Sequence, residues 1–266
     1  MSITVVVPAF NEASNIGAVL DRIGTVFDKA RLDYTILVVD DGSTDGTDTV
    51  VAQFQDQFPI KILRHPKNLG LGRALSTGLV AAAAMGEVVA TMDADNSHDP
   101  AYILQMLREI KKGNDIVIAS RFRRGSECFG VPLYRQMLSI GAAGLLKTFF
   151  PMRNVRDYST GFRVYRSRSL RDLISSYGND FIHERGFACS IELLLKLRKL
   201  GAKAQEVPYT LRYDLKQGAS KMKVFRTVAR YFVVMHSVLR NTPSRLPDAR
   251  ELPRSEVVIP RSAINA

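Results

Sequence analysis

The sequence predicts an α/β protein built on one mostly parallel sheet with helices on both faces. Up to residue 120, short runs of apolar, β-branched residues alternate with amphipathic segments of helix length, a pattern typical of parallel sheets. The runs are mainly apolar, as expected for strands that are buried on both faces. The chain has 266 residues, of which 46% are hydrophobic, and is therefore long enough to bury one large core.

The first half of the chain predicts five strands with four helices between them. The strands are at 3–8, 34–40, 60–65, 87–93 and 115–120. The helices are at about 13–28, 46–57, 70–85 and 100–112. In open sheets of this kind ligands bind beyond the carboxyl ends of the strands, so the residues that follow each strand are the candidates for a site.

After residue 125 the regular alternation ends. We predict a helix at 131–150, a bent extended segment at 155–166, a helix near 187–200, a strand near 203–211 and a basic amphipathic helix near 221–240. The proline-containing tail is predicted to be extended. The expected organisation is a main domain at 1–215, a basic amphipathic helix at 216–240 and the tail at 241–266.

The formal net charge of +11 indicates an anionic partner. Nucleic acid, an anionic membrane surface and phosphorylated small molecules all meet that description. The basic residues are dispersed, and the sequence contains neither an aromatic RNA-binding signature nor a helix-turn-helix pattern. We therefore do not expect a nucleic acid as partner.

The beginning of the chain, MSITVVVPAFNE, lacks the basic start, apolar core and cleavage site of a signal peptide. No apolar run approaches the roughly 18 residues of a membrane-spanning helix. The two cysteines, Cys128 and Cys189, are compatible with a reducing compartment. We expect a cytoplasmic protein without a transmembrane helix, which works at a membrane by lying on it or by using a partner's anchor.

The segment MDADNSHDP places two carboxylates, Asp93 and Asp95, at the end of a buried strand. On an extended chain residues i and i+2 point to the same side, so the two charges converge and repel each other. A divalent cation resolves this repulsion, and Mg²⁺ or Mn²⁺ commonly bridges carboxylates to a diphosphate. The alternative is a solvated turn in which Asp95 or Ser97 caps the helix that Pro100 helps to begin.

Two further segments suggest contacts with a nucleotide. VVDDGSTDGT contains Asp40 and Asp41 at the end of a strand, where a carboxylate can accept hydrogen bonds from a base or a ribose. A tight turn capped by Asp45 explains much of the same segment. KNLGLGRALSTG places Lys67 and Arg73 around glycines at the start of a helix, which is a favourable place for phosphate.

Taken in order, seven segments resemble the inverting family 2 glycosyltransferases of GT-A fold, and most closely the dolichol-phosphate or polyprenyl-phosphate mannose synthases. The segments are VVVPAFNE, VVDDGSTDGT, NLGLGRAL, MDADNSHDP, SRF, YSTGFRVYR and EVPYTLRYDLKQGASK. The resemblance covers about residues 3–240. Phe10 stands where the family often has Tyr. The family's arginine upstream of GASK is out of register, with Arg212 or Lys216 as the substitute.

The resemblance implies a role for each matched position. Asp93 and Asp95 would hold Mg²⁺ or Mn²⁺ on the donor's diphosphate, with Ser97 as a further ligand. The residues implied to be catalytic are Asp93, Asp95 and Arg121. The residues expected to bind substrate are Pro8, Phe10, Glu12, Val39, Asp40, Asp41, Arg73, Ala94, Arg135, Ser220 and Lys221. Of these, Arg135, Ser220 and Lys221 belong with Arg121 to the lipid phosphate.

The resemblance further implies the transfer of a hexose from a sugar nucleotide to a dolichyl or undecaprenyl phosphate, with inversion and with dependence on a metal. It favours mannose from GDP-mannose, although no single residue selects between this donor and UDP-glucose. The enzyme would act at the cytoplasmic face of a membrane, bound to an anionic surface or to a membrane-anchored partner. The helices at 131–150 and 221–240 would face the lipid, or else pack on the sheet as ordinary core helices.

A second hypothesis keeps the donor site and transfers the sugar to a hydroxyl of a glycan or glycolipid. That reaction needs a general base, because a hydroxyl must lose its proton. Asp157, Glu184 and Glu192 are the candidates for this base. The resemblance in YSTGFR and GASK favours the lipid phosphate.

Overall fold

Nine strands and eight α-helices make up the described part of the chain, which the computed structural model gives as residues 1–178, 181–217 and 224–240. The strands are β1 (Ser2–Ala9), β2 (Asp33–Asp40), β3 (Ile60–Arg64), β4 (Val88–Thr91), β5 (Ile116–Ser120), β6 (Glu127–Phe129), β7 (Arg163–Arg166), β8 (Ala204–Pro208) and β9 (Thr210–Arg212). The helices are α1 (Ala13–Lys29), α2 (Thr47–Ala52), α3 (Leu71–Met85), α4 (Ala101–Lys111), α5 (Leu133–Phe149), α6 (Ser167–Tyr177), α7 (Cys189–Lys199) and α8 (Val224–Arg240).

The central sheet has seven strands in the order β3-β2-β1-β4-β7-β5-β8. β7 runs antiparallel to its neighbours β4 and β5, whereas the other neighbouring strands pair in parallel. β6 and β9 form a separate parallel pair. Because β7 is reversed, the residues that precede it lie at the edge of the sheet where the parallel strands end. The predicted mostly parallel sheet is confirmed.

Apolar helices cover the sheet on both faces. Val5 and Val7 of β1 pack in one core with α1 and α4, whereas Val6 packs in the other with α3 and α7. This division follows from the two-residue period of a strand. α3 approaches the sheet so closely that a Cβ atom on Gly78 would lie 2.4 Å from Cγ1 of Val6. The predicted arrangement of helices on both faces is confirmed.

The structure modifies several predicted elements. β4 ends at Thr91, two residues before the predicted end, and α2 covers only the first half of the predicted helix. The strand predicted at 203–211 is divided at Tyr209 into β8 and β9. The bent extended segment ends in β7. β6 and α6 have no counterpart among the predicted elements.

α5 and α8 both pack against the core formed by α3 and α7. Leu146 of α5 and Tyr231, Val234 and Val238 of α8 are buried there. Residues 218–223 and the predicted tail at 241–266 lie outside the described residues. Within the described ranges, no helix is both long enough and apolar enough to cross a membrane.

Candidate active site

A cavity of about 510 Å³ opens at the carboxyl edge of the sheet, beside the ends of β1, β4 and β5. This is the edge at which ligands bind in open α/β sheets. Of the residues predicted for the site, those that line the cavity are Pro8, Phe10, Glu12, Asp41, Asp93, Ala94, Asp95, Ser97 and Arg121. One cavity therefore brings together residues that are up to 113 positions apart in the sequence.

The other predicted substrate-binding residues lie elsewhere. Val39 and Asp40 are buried in the sheet, and together with Arg73 they lie outside the cavity lining. Ser220 and Lys221 lie outside the described residues, as does the side chain of Arg135 on α5. The binding roles of all six stay predictions.

Asp93 and Asp95 lie on a turn beyond β4 and not on an extended chain. Oδ1 of Asp95 accepts hydrogen bonds from the backbone N–H of Ser97 at 3.2 Å and from its hydroxyl at 2.6 Å. Asn96 has a φ of 63°, a left-handed conformation that Asn adopts more readily than most residues. The predicted extended geometry is therefore wrong, and it is this turn that brings both carboxylates to the cavity.

The two carboxylates meet different surroundings. The side chain of Asp93 is 43% exposed and that of Asp95 is 13% exposed. The atoms around Asp93 remove part of its hydration and so raise its pKa. Repulsion from Asp95 adds to this effect, and attraction by His98 opposes it. Burial also opposes the charge on Asp95, but attraction by His98 and Lys216 outweighs it and lowers the pKa. Asp93 is thus the carboxylate that most needs a further cation.

Two side chains contact this pair, Lys216 and His98. The sequence suggests Lys216 only as one of two substitutes for a family arginine, and it does not predict His98. Nζ of Lys216 donates a hydrogen bond of 2.7 Å to Oδ2 of Asp95, from 121 residues away in the sequence. Nδ1 of His98 accepts a hydrogen bond from the backbone N–H of Asp93 at 3.2 Å, and its buried ring stacks on Phe162. His98 stands in the quoted segment MDADNSHDP, so its position was a usable signal. Only the fold could identify Lys216 as a neighbour of Asp95.

Arg121 lines the same cavity directly after β5, where Asp157 fixes its guanidinium group. Nε and Nη2 of Arg121 donate to the two carboxylate oxygens of Asp157, both at 2.8 Å, and Nη2 also donates to the hydroxyl of Ser159 at 2.7 Å. Burial opposes the charge on each partner, but their mutual attraction outweighs it, so the pKa of Arg121 is raised and that of Asp157 lowered. Arg121 therefore presents a fixed positive charge to the cavity.

Asp41 holds the loop before α3 in place. Its two carboxylate oxygens accept hydrogen bonds from the backbone N–H groups of Leu69 and Gly70, at 2.9 and 2.8 Å, and Oδ1 also contacts Nδ1 of His65. Gly42, at a φ of 74°, lets the two loops meet, because a Cβ atom there would lie 2.5 Å from the backbone of Lys67. The cavity wall at Asp41 is therefore built from two strand-end loops, and its nucleoside-binding role stays a prediction.

The loop that ends at α7 completes the cavity with Arg185, Gly186 and Phe187, none of which was predicted. Glu192 holds this loop, since its carboxylate accepts hydrogen bonds from the backbone N–H groups of residues 183 and 184. Lys196, which is fully buried, neutralises Glu192 at 2.6 Å. The sequence predicts no role for Arg185, Gly186 or Phe187, and it offers Glu192 only as a candidate general base.

The acidic pair fits a divalent cation of the kind that takes oxygen ligands. Mg²⁺ and Mn²⁺ need few protein carboxylates when a diphosphate and water supply the remaining ligands. In the described part of the chain, His, Cys, Asp and Glu form no group of three or more that could hold a metal ion alone. Asp93 and Asp95 would therefore hold the ion together with a bound diphosphate. The hydroxyl of Ser97, which donates to Asp95, is positioned beside them.

Comparison with known proteins identifies a family and several relatives. The model of glycosyl transferase family 2 matches residues 4–174. The dolichol-phosphate mannosyltransferase of Pyrococcus furiosus is 32% identical over 224 residues, which cover 84% of this chain but only 60% of that protein's length. The undecaprenyl-phosphate mannosyltransferase of Micrococcus luteus is 29% identical over 84% of this chain and 88% of its own length.

Solved structures give the fold independently. A glucosyl-3-phosphoglycerate synthase from Mycobacterium tuberculosis, in complex with Mn²⁺, UDP-glucose and phosphoglyceric acid, superposes with a TM-score of 0.66 at 23% identity. The match covers 91% of this chain and 81% of that one, and it confirms the predicted GT-A fold. Because the family model spans more than half of a chain that has this fold and carries the predicted acidic pair in its cavity, the chain belongs to glycosyl transferase family 2.

Proposed function

We propose that the chain transfers a mannosyl group from a sugar nucleotide to a polyprenyl phosphate, with Mg²⁺ or Mn²⁺ at Asp93 and Asp95. The observation that carries this proposal is the arrangement of charge in one cavity. The acidic pair and the guanidinium of Arg121, which Asp157 fixes, line the same cavity. Two mannosyltransferases of polyprenyl phosphates among the relatives support the choice of sugar and acceptor.

The proposed chemistry depends mainly on positioning. A phosphate acceptor is already anionic near neutral pH, so its oxygen attacks the anomeric carbon without a strong base, and an in-line attack inverts the configuration. A divalent cation, when bound, supplies charge stabilisation for the departing diphosphate. Arg121 orients the acceptor phosphate, because a guanidinium group matches the geometry of phosphate oxygens. Asp157 keeps that guanidinium group in one orientation.

The three carboxylates that could serve as general bases for a hydroxyl acceptor are all engaged. Asp157 is paired with Arg121, and Glu184 accepts a hydrogen bond of 2.8 Å from Nε of Arg230. Glu192 is paired with Lys196. A carboxylate that is held in an ion pair is less available to take a proton from an acceptor, because its oxygens are already engaged by a cation. This favours the phosphate acceptor over the hydroxyl acceptor.

A pair of matched acceptors tests the proposal. With radiolabelled GDP-mannose and Mn²⁺, we expect transfer to a polyprenyl phosphate and no transfer to the polyprenol of the same length. The two acceptors differ only in the phosphate, and transfer to the polyprenol would need a general base. UDP-glucose is assayed in parallel to compare donors. Equal transfer to the polyprenol would contradict the proposal and support the hydroxyl acceptor.

We further propose that the chain lies on an anionic membrane surface at the cytoplasmic face, where a lipid acceptor is presented. Leu133, Met137 and Ile140 form an exposed apolar stripe at helical spacing on α5, with 78%, 72% and 58% of their surface accessible. On α8, Phe232, Val233 and Leu239 are exposed as well. Exposed apolar stripes together with the net charge of +11 are typical of proteins that bind anionic membranes.

Replacing Met137 and Ile140 together with Glu is expected to reduce binding to anionic vesicles by about tenfold or more. Each buried apolar side chain contributes about 1.5–3 kcal/mol when it leaves water, and the added carboxylates are repelled by anionic lipid. Flotation with vesicles that contain phosphatidylserine measures the effect. Replacing Gln53 and Gln55 with Glu adds the same charge at exposed positions far from the stripe and serves as the control. If the fraction of protein that floats with the vesicles changes neither in the variant nor with the charge of the lipid, the proposed membrane binding is wrong.

A further inference from the structure

Asp95 already has a cationic partner that belongs to the chain itself. Nζ of Lys216 lies 2.7 Å from Oδ2 of Asp95, and the two side chains are only 11% and 13% exposed. Lys216 also lines the cavity in which the acidic pair lies. The lysine therefore engages a carboxylate oxygen that a divalent cation would use.

The backbone holds Lys216 in this position from both sides. Before it, the N–H of Arg212 donates to the carbonyl of Ser97 at 3.0 Å, which ties β9 to the acidic turn. After it, the N–H of Gln217 donates to Oδ1 of Asn15 at 3.0 Å, while Nδ2 of Asn15 donates to Glu12 at 2.8 Å. Backbone hydrogen bonds on both sides of Lys216 therefore position it beside Asp95.

The ion pair is charged at neutral pH. At neutral pH an ammonium group and a carboxylate are both charged at their ordinary pKa values. An ammonium group and a divalent cation repel each other strongly at the distances found within one site. The ammonium group of Lys216 and a divalent cation therefore compete for the carboxylate of Asp95.

We propose that Lys216 is the internal counter-ion of Asp95 in the metal-free chain, and that it moves to the donor's diphosphate when a divalent cation binds. This inference rests on the proposed function, since it assumes a metal and a nucleoside diphosphate at Asp93 and Asp95. The four-carbon stem of lysine lets the ammonium group change partners while its backbone stays fixed. The diphosphate supplies the negative charge that the lysine loses when Asp95 turns to the metal.

This exchange links the binding of metal to the binding of donor. Metal alone must displace an ammonium group that then has no partner, so it binds weakly. Metal and diphosphate together provide a partner for every charge. Coupling between two ligands is reciprocal, so each raises the affinity of the other by the same factor. Lys216 thus disfavours occupation of the acidic pair by a metal ion without its substrate.

Replacing Lys216 with Met, which keeps the length of the stem and removes the charge, tests the proposal through two binding constants. We expect Mn²⁺ alone to bind about tenfold more tightly to the variant, within the range typical of coupled sites. We expect the nucleoside diphosphate, added with saturating Mn²⁺, to bind about tenfold more weakly. Electron paramagnetic resonance of free Mn²⁺ gives the first constant. Calorimetry gives the affinity for the nucleoside diphosphate. GDP and UDP are first compared on the native chain, and the one that binds more tightly is used for the variant.

Two control variants separate this role from a structural one. Lys216→Arg keeps the charge and is expected to restore both constants towards their native values. Lys61→Met removes one positive charge at an exposed position on β3 and is expected to change neither constant. A lysine that merely stabilises the fold would weaken both ligands together when removed, and that result would overturn the proposal. Unchanged constants in Lys216→Met would overturn it as well.

The same experiment distinguishes this proposal from the proposed function. A native chain that binds no Mn²⁺, with or without nucleotide, would overturn the metal assignment at Asp93 and Asp95 and the lysine's role with it. A native chain that binds Mn²⁺ and nucleotide, with a Lys216→Met variant that behaves identically, would overturn only the role of the lysine. Opposite changes in the two constants would support both.

Discussion

Replacing Asp95 with Asn is expected to lower kcat/KM for metal-dependent transfer by about a thousandfold or more. The metal's stabilisation of a departing diphosphate amounts to several kcal/mol, and each 1.4 kcal/mol corresponds to about a factor of ten. Asn keeps an oxygen that can accept the hydrogen bonds from Ser97 but loses the charge that binds the metal. Initial rates at saturating Mn²⁺ and at several Mn²⁺ concentrations measure the effect.

Asp99→Asn is the matched control for this substitution. Asp99 lies in the same segment, where its Oδ1 accepts a hydrogen bond from the backbone of residue 101, but it does not line the cavity. We expect this variant to retain metal-dependent transfer. A native rate and native Mn²⁺ dependence in Asp95→Asn would show that the acidic turn is only the start of α4.

Replacing Asp157 with Asn is expected to lower the free energy of unfolding by about 3 kcal/mol. Breaking a buried ion pair by removing one partner commonly costs about 3–5 kcal/mol, because the other charge is left uncompensated. The lower end applies here, since Arg121 keeps 21% of its side chain exposed while Asp157 is fully buried. Urea unfolding measures the loss. The exposed Asp56→Asn is expected to change stability by less than about 0.5 kcal/mol.

The ion pair of Arg121 and Asp157 makes the free energy of unfolding decrease as the pH falls. Attraction by Arg121 outweighs burial and lowers the pKa of Asp157, so the unfolded chain binds this proton more readily than the folded chain. The contribution is complete above the unfolded value of about 3.9 and is lost as the pH falls towards the lowered folded pKa. Between pH 5 and pH 3, Asp157→Asn should therefore lose less stability than the native chain. Parallel curves for the two proteins would contradict the assignment.

The sequence predicted those parts of the fold that depend on local pattern. Runs such as 3–8 are mainly apolar because they are buried on both faces, and strands are present at all five predicted positions. β7 escaped prediction as a reversed central strand, since neither its length of four residues nor its composition records the direction in which it runs. The direction of a strand depends on the connections before and after it, which the residues of the strand do not specify.

The same distinction applies to the candidate site. Asp93 and Asp95 were identifiable because they interrupt an apolar strand with charge. Lys216 could be suggested only as one of two substitutes for a family arginine, since 121 residues separate it from Asp95 and the sequence does not show that the two side chains meet. Asp157 was considered as a base because it is an acid in a polar segment. Its actual neighbour, Arg121, was considered separately as a phosphate ligand, and only the folded chain joins the two.

The reversed strand β7 divides the cavity between two stretches of the chain. The walls at Asp41, Asp93 and Asp95 come from the residues before 100, and those at Arg121, Thr160, Arg185 and Lys216 come from the residues after 120. Recombination within the short segment between them would exchange one half of the cavity and leave the strands of the other half intact. Chimaeras joined within α4 would therefore keep the walls at Asp41, Asp93 and Asp95 and replace those at Arg121, Arg185 and Lys216.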